Sequence, residues 1–372
     1  MTAVRRPRGL EPIRVLVIGV GHLGRNHARV YNELDGVELV GIVDVDTETA
    51  KEIGTKLGVP HFTRTTPDLL ASVHAASVVT PTPLHSEVAK YCIESGVSVL
   101  VEKPMTSTVE QAKELSALAD ATGVTLQVGH IERFNPVVLA AHSRIRDPVF
   151  IECDRIHPFS FRSVETSVIL DLMIHDIDIV LNLVDSPVAQ LEAFGTRVLS
   201  ETEDLASARL TFDNGCTAMV KASRVAIQRS RKMRIFGRDS YISLDYIAKT
   251  GMRIGLKEGF DRTDIDFRAM ARLEATQGSY PIFTRYFSIE QLPVASDEPL
   301  KNELQSFLLA VRTGREPVVT GAHGLQAIEI ATEIQEKIRR HQELFHERQA
   351  ESGVRSSRLH PQEPGEPGSG GV

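Results

Sequence analysis

The chain has 372 residues, 42% hydrophobic and 24% charged, a globular composition with enough apolar side chains for a core without staples. A formal net charge of -7, 5% aromatics and no tryptophan leave neither the basic footprint nor the stacking platforms of a nucleic-acid binder. Cys92, Cys153 and Cys216 are too few and too scattered for a disulfide framework, and no apolar run reaches the length of a membrane span.

Arg5 and Arg6 precede the apolar run at 15–20 and resemble an export signal. That run is short, lacks a small-residue cleavage site and doubles as the first strand, so cytoplasmic residence is expected. Strands are predicted at 14–19, 37–43, 61–62, 76–79, 98–101 and 125–128. Helices are predicted between them at 23–33, 47–57, 66–72, 85–95 and 107–122. Buried strands alternating with helices predict an α/β domain at 12–128 with a parallel sheet covered on both faces. After 129 longer strands follow at 149–155, 188–196, 206–212, 217–223 and 231–236, with Asp213-Asn214-Gly215 as a hairpin turn. With helices at 168–184, 300–313 and 324–349, residues 129–349 are expected to form an α+β domain with a large, mostly antiparallel open sheet. Residues 350–372, rich in Gly, Pro and Ser, predict a disordered tail.

Gly19-Val20-Gly21-His22-Leu23-Gly24 follows the first strand and opens the first helix. The first glycine permits the tight turn, the second lets a pyrophosphate approach the backbone, and the third allows helix–strand packing. The helix N-terminus then offers N–H donors to the phosphates. Asp44, about 20 positions on at the end of the second strand, is placed to accept from the ribose hydroxyls. Asp44 and Asp46 together disfavour a 2′-phosphate, so NAD is the expected cofactor of a Rossmann domain. Asp46 alone also reads as a helix cap.

Ligands of open α/β sheets bind beyond the carboxyl ends of the strands. That rule places Glu102-Lys103-Pro104 and the run from Thr80 through Thr82 to His85 at the cofactor. A lysine there can hydrogen-bond a substrate hydroxyl and share in its proton movement. A surface lysine ahead of a proline turn is the plainer alternative. The helix at 168–184 is apolar nearly all round, yet Asp171, His175, Asp178 and Asn182 recur at helical spacing. Such a stripe must be internally paired or must line a cleft. In a cleft, His175 is a general base, and Asp171 orients it or binds the substrate. A metal site is disfavoured, since no second cluster has ligand spacing.

Together, GVGHLGRNH at 19–27, Asp44, TPTPLH at 80–85, EKP at 102–104 and the Asp171–His175 spacing resemble the Gfo/Idh/MocA oxidoreductases over most of 13–345. The resemblance implies hydride transfer between a sugar-type secondary alcohol and a nicotinamide, with Lys103, Asp171 and His175 as the catalytic set. It implies cofactor contacts from Gly19, Gly21, His22, Leu23, Gly24, Asp44, Thr80, Thr82, His85, Glu102 and Lys103. It also implies homodimers or homotetramers built through the second-domain sheet. The stretch from Gly129 to Pro136, with the helix after it, is similar to UDP-N-acetylglucosamine 3-dehydrogenases. Those supply a 3-keto nucleotide sugar to an aminotransferase for lipid A-type glycolipids. In that subgroup Arg133, Asn135 and Arg162 are expected to contact the substrate beside Lys103, Asp171 and His175, with Arg133 on the diphosphate. For Arg133 a surface or interdomain salt bridge is the alternative. A UDP-N-acetylglucosaminuronate 3-dehydrogenase, an inositol or simple-sugar dehydrogenase, and a non-catalytic NAD sensor are the rival functions.

Overall fold

The computed structural model describes residues 4, 6, 7, 9, 11–161 and 164–351. Its first sheet contains β1 (Ile13–Ile18), β2 (Val37–Val43), β3 (His61–Phe62), β4 (Ala75–Val78), β5 (Ser98–Glu102) and β6 (Leu126–Gly129). Every pairing is parallel, in the order β3-β2-β1-β4-β5-β6. The order reverses between β1 and β4, which opens a crevice at their carboxyl ends. Helices α1 (Gly24–Glu33), α2 (Thr47–Leu57), α3 (Pro67–Ala71), α4 (Thr82–Glu94) and α5 (Val109–Thr122) make the crossovers. Helices on both faces explain why β4 and β5 are buried at every position. Helix α4 starts earlier than the predicted 85, because proline is tolerated in a first turn whose N–H groups lack intrahelical partners.

A 3₁₀ turn (Ile131–Phe134) and α6 (Pro136–His142) lead into β7 (Pro148–Ile156). A π-helical turn (Ile169–Met173) then runs into α7 (Ile174–Val184). Strands β8 (Val188–Thr196), β9 (Leu205–Phe212), β10 (Thr217–Ser223), β11 (Ser230–Gly237), β12 (Ser240–Asp245) and β13 (Thr250–Leu256) follow. After α8 (Phe267–Gln277) and α9 (Ser279–Tyr286), β14 (Phe287–Gln291) adds the last edge. The eight-stranded order is β14-β13-β12-β11-β7-β10-β9-β8, antiparallel except for β7 with β10. Strands β12 to β14 were not predicted. They are short and half-exposed, so their apolar alternation is weak.

The chain ends in α10 (Pro299–Thr313) and α11 (Gly321–Glu351). Leu304, Phe307 and Val311 of α10 share a core with β1 and α1, while Val319 and Ile328 join the β4–β5 core. Ala331, Ile334 and Ile338 of α11 instead pack on the second sheet. The C-terminal helices are therefore shared by both sheets and do not belong to the second domain alone. Of the expected tail, 352–372 lie outside the described residues. All three cysteines are buried and free. Among the described residues no helix is long and apolar enough to cross a membrane.

Candidate active site

At the β1–α1 turn the three glycines are used differently. Gly19 has φ +88°, and a Cβ there would stand 2.6 Å from the Val79 carbonyl oxygen. A Cβ on Gly24 would stand 1.8 Å from the Gly19 oxygen, so both positions are closed against backbone. A Cβ on Gly21 would meet nothing, so the loop's free space lies where a pyrophosphate would approach. Gly21→Val should therefore leave the melting temperature unchanged and weaken NAD binding at least about tenfold. Thermal unfolding beside NAD calorimetry checks this pair of outcomes.

Asp44 Oδ2 accepts from the Val20 N–H at 2.8 Å and Oδ1 from the Asp46 N–H at 3.0 Å. This ties the end of β2 to the glycine loop and leaves each oxygen a lone pair for a ribose hydroxyl. Asp46 is the N-cap of α2, accepting from the Glu48 and Thr49 N–H groups. His22 is exposed and Leu23 half-buried at the mouth of the loop. Thr80 Oγ1 is buried with no partner among the described residues, an orphan that a bound cofactor can satisfy. Thr82 opens α4. His85 lies beneath the crevice, its ring nitrogens 2.7 Å from the Thr80 oxygen and 2.9 Å from the Pro104 oxygen. It holds two crevice turns together and does not face the cleft. Glu102 is buried too, 3.0 Å from His27 Nε2 and packed under Gly129. The residues present fit a dinucleotide, with Asp44 and the glycine loop in reach of it and His85 and Glu102 behind.

Lys103 leaves β5 at the crevice and crosses to the second domain. Its ammonium donates to the Asp171 carbonyl oxygen at 2.6 Å and faces Asp171 Oδ1 at 3.4 Å. Asp171 sits in the π turn, and His175 opens the following helix with Nδ1 buried and without a hydrogen-bond partner among the described residues. Burial, and next the Lys103 charge, hold the His175 imidazole well below its ordinary pKa. It is therefore neutral, and competent to accept a proton, across and below the neutral range. Protonation as pH falls removes the base only at the lowered pKa. The acid limb of kcat/KM should thus lie below the ordinary histidine value of about 6.5. A pH–rate profile whose acid limb falls at or above that value would contradict the assignment of His175 as base.

The π turn widens the helix locally and splits the predicted polar stripe. Asp171 meets Lys103, whereas Asp178 and Asn182 turn to Arg133. Arg133 Nε donates to Asp178 Oδ2 at 2.7 Å, Nη2 donates to Oδ1 at 3.0 Å, and Nη1 donates to Asn182 Oδ1. At 6% exposure, Arg133 forms an internal ion pair, and the diphosphate contact expected of it has no open donor face. Asn135, also buried, caps α6 through the Val137 N–H and donates to Glu132. It too is packed away from the crevice. Arg162 lies outside the described residues.

Sequence reasoning missed a second buried cluster. Arg155, only 2% exposed, donates twice to Asp176 at 2.7 and 2.8 Å and to Glu132 at 2.8 Å. Its signal was present in the inward alternation Ile151, Cys153, Arg155 along β7, which puts an arginine at a core position. Beside this cluster a cavity of about 180 Å³ is lined by Asp171, Leu172, His157, Arg224 and Arg231.

The model of the "Oxidoreductase family, NAD-binding Rossmann fold" matches residues 13–130, and the GFO/IDH/MocA C-terminal domain matches 138–243. UDP-N-acetylglucosamine 3-dehydrogenase from Acidithiobacillus ferrooxidans is 33% identical over 323 residues, 87% of this chain and 96% of that protein. A crystal form of that enzyme superposes with TM-score 0.76 at 32% identity, covering 88% of this chain and 98% of the other. The scyllo-inositol 2-dehydrogenase (NAD(+)) of Bacillus subtilis is 26% identical over 83% of this chain and 89% of its own length. A levoglucosan dehydrogenase shares the fold with TM-score 0.75 at 18% identity, over 89% of this chain and 98% of that one. With both halves matched in order and the glycine loop open at Gly21, the chain belongs to the Gfo/Idh/MocA family and is an NAD-dependent oxidoreductase.

Proposed function

We propose that this chain oxidises the C3 hydroxyl of UDP-N-acetylglucosamine to the 3-keto sugar. The observation that carries the chemistry is the Lys103–Asp171 contact with a neutral His175 one turn away. The substrate choice rests on the 33% identity to a UDP-N-acetylglucosamine 3-dehydrogenase across nearly all of that enzyme. Bound NAD supplies the hydride acceptor. His175 accepts the hydroxyl proton, and Lys103 donates a hydrogen bond to the same oxygen. Asp171 holds the Lys103 ammonium in place. Residues 12–128 bind the cofactor, and 129–349 supply the substrate side and the oligomer contacts of a homodimer or homotetramer. The enzyme acts in the cytoplasm and passes its keto sugar to an aminotransferase.

The test is NADH formation with UDP-N-acetylglucosamine, UDP-N-acetylglucosaminuronate and scyllo-inositol side by side, an aminotransferase pulling the equilibrium. Turnover of UDP-N-acetylglucosamine alone supports the proposal. Turnover confined to either of the others overturns it.

A further inference from the structure

Arg231 is the one arginine lining the cavity beside Asp171 that the fold leaves under-used. Its neighbour on that wall, Arg224, donates to Asp204 Oδ1 at 2.7 Å, the Thr166 carbonyl at 2.7 Å, Ser200 Oγ at 2.7 Å and Thr202 Oγ1 at 2.6 Å. Behind them Arg155 spends its guanidinium on Asp176 and Glu132. Among the described residues the Arg231 side chain makes one long hydrogen bond, Nη1 to Glu132 Oε1 at 3.4 Å. That oxygen already accepts from Arg155 at 2.8 Å, and Glu132 Oε2 accepts from Asn135 at 2.9 Å. The remaining side-chain donors of Arg231 have no hydrogen-bond partner among the described residues.

The register sharpens the point. On the β11–β7 ladder Arg231 stands directly opposite Arg155. Like charges at a directly opposed position destabilise a sheet. Burial, and next the Arg155 charge, push the Arg231 guanidinium below its ordinary pKa, as expected for a cation short of counter-charge. Its side chain is 31% exposed and lines the cavity. A half-desolvated guanidinium with spare donors beside the catalytic contact is suited to an oxyanion that offers two oxygens to a fork of N–H groups.

We propose that Arg231 recognises an oxyanion carried by the sugar substrate, binding it in the cavity next to Asp171. This rests on the sugar-dehydrogenase reading above and assigns to Arg231 the anion contact expected of Arg133. The oxyanion is either the diphosphate of a nucleotide sugar or the carboxylate of a uronate, and the ligands below distinguish them.

The experiment uses the full chain loaded with NAD, as parent, Arg231→Ala and Arg231→Lys. Calorimetry measures UDP-N-acetylglucosamine, UDP and glucuronate. Kinetics compare UDP-N-acetylglucosamine with neutral N-acetylglucosamine. Arg231→Ala should weaken the anion it serves by about 10- to 100-fold, with the loss in KM more than in kcat. Arg231→Lys should recover part of it, since it keeps the charge and loses the fork. The melting temperature of Arg231→Ala should not fall, because the substitution relieves the Arg155 opposition. A merely structural arginine would lower it. Loss of UDP affinity identifies the diphosphate, and loss of glucuronate affinity the carboxylate. Affinities equal in parent and variant, or no binding of any of these by the parent, overturn the inference. Arg231-dependent binding of UDP-N-acetylglucosamine without its oxidation would sink the proposed reaction and leave the anion site standing.

Discussion

Replacing Lys103 with alanine should lower kcat by about 10²- to 10⁴-fold while NAD still binds. The side chain crosses from the carboxyl end of β5 to the π turn and is held by the Asp171 carbonyl at 2.6 Å. It is 16% exposed, so it is pinned at the crevice and not sampling solvent. The hydrogen bonds of Lys103 among the described residues go to Glu102 and Asp171 and none to the glycine loop or Asp44, which is why cofactor affinity should survive. Arginine should not rescue the variant, because a planar guanidinium cannot reproduce a compact ammonium between a carbonyl and a hydroxyl. His175→Ala should give a loss of similar size, and the double variant little more than either single one, as for groups acting as a unit. Stopped-flow turnover beside NAD calorimetry decides the matter. A Lys103→Ala enzyme with near-parental kcat would remove Lys103 from the chemistry, whatever its affinity for NAD.

Arg155→Ala should cost about 3–5 kcal/mol of stability. The guanidinium is almost wholly enclosed and is the counter-charge of both Asp176 and Glu132. Its removal strands the buried Asp176 carboxylate and leaves Glu132 with Asn135 and the long Arg231 contact, and that desolvation penalty exceeds the loss of one side chain's packing. Arg155 also lies over the Tyr246 ring, its guanidinium carbon 5.6 Å from the centroid. Replacing Asp176 by leucine in the Arg155→Leu background should recover much of the loss, since a matched apolar pair leaves fewer orphaned charges. Because Asp176 adjoins His175 in α7, the single variant should also lower kcat/KM. Thermal and denaturant unfolding of the three variants provide the test. An Arg155→Ala protein as stable as the parent would show that water, not the arginine, satisfies those carboxylates.

Some of this was legible in the chain itself. The run at 98–101 reports a strand because burial on both faces leaves no polar alternation. The spacing from the glycine loop to Asp44 is local and set by one β-α-β unit. Lys103, Asp171 and His175 stood out because their residue types are unusual at the end of a buried strand and on an apolar helix. What escaped was pairing over distance. Nothing near Arg133 signals that Asp178 will take its guanidinium, since the contact joins residues 45 positions apart in the chain.

By itself, then, the sequence determined the doubly wound sheet, the glycine loop and the identity of the chemically unusual side chains, all consequences of short-range periodicity and residue type. Only the tertiary structure decided where each charge is spent. It gave Arg133 to Asp178, set Arg155 opposite Arg231, returned α10 to the first sheet and split the polar stripe with a π turn. The physical reason is that an ion pair's partner is chosen by register and packing between distant elements, which short-range periodicity does not report.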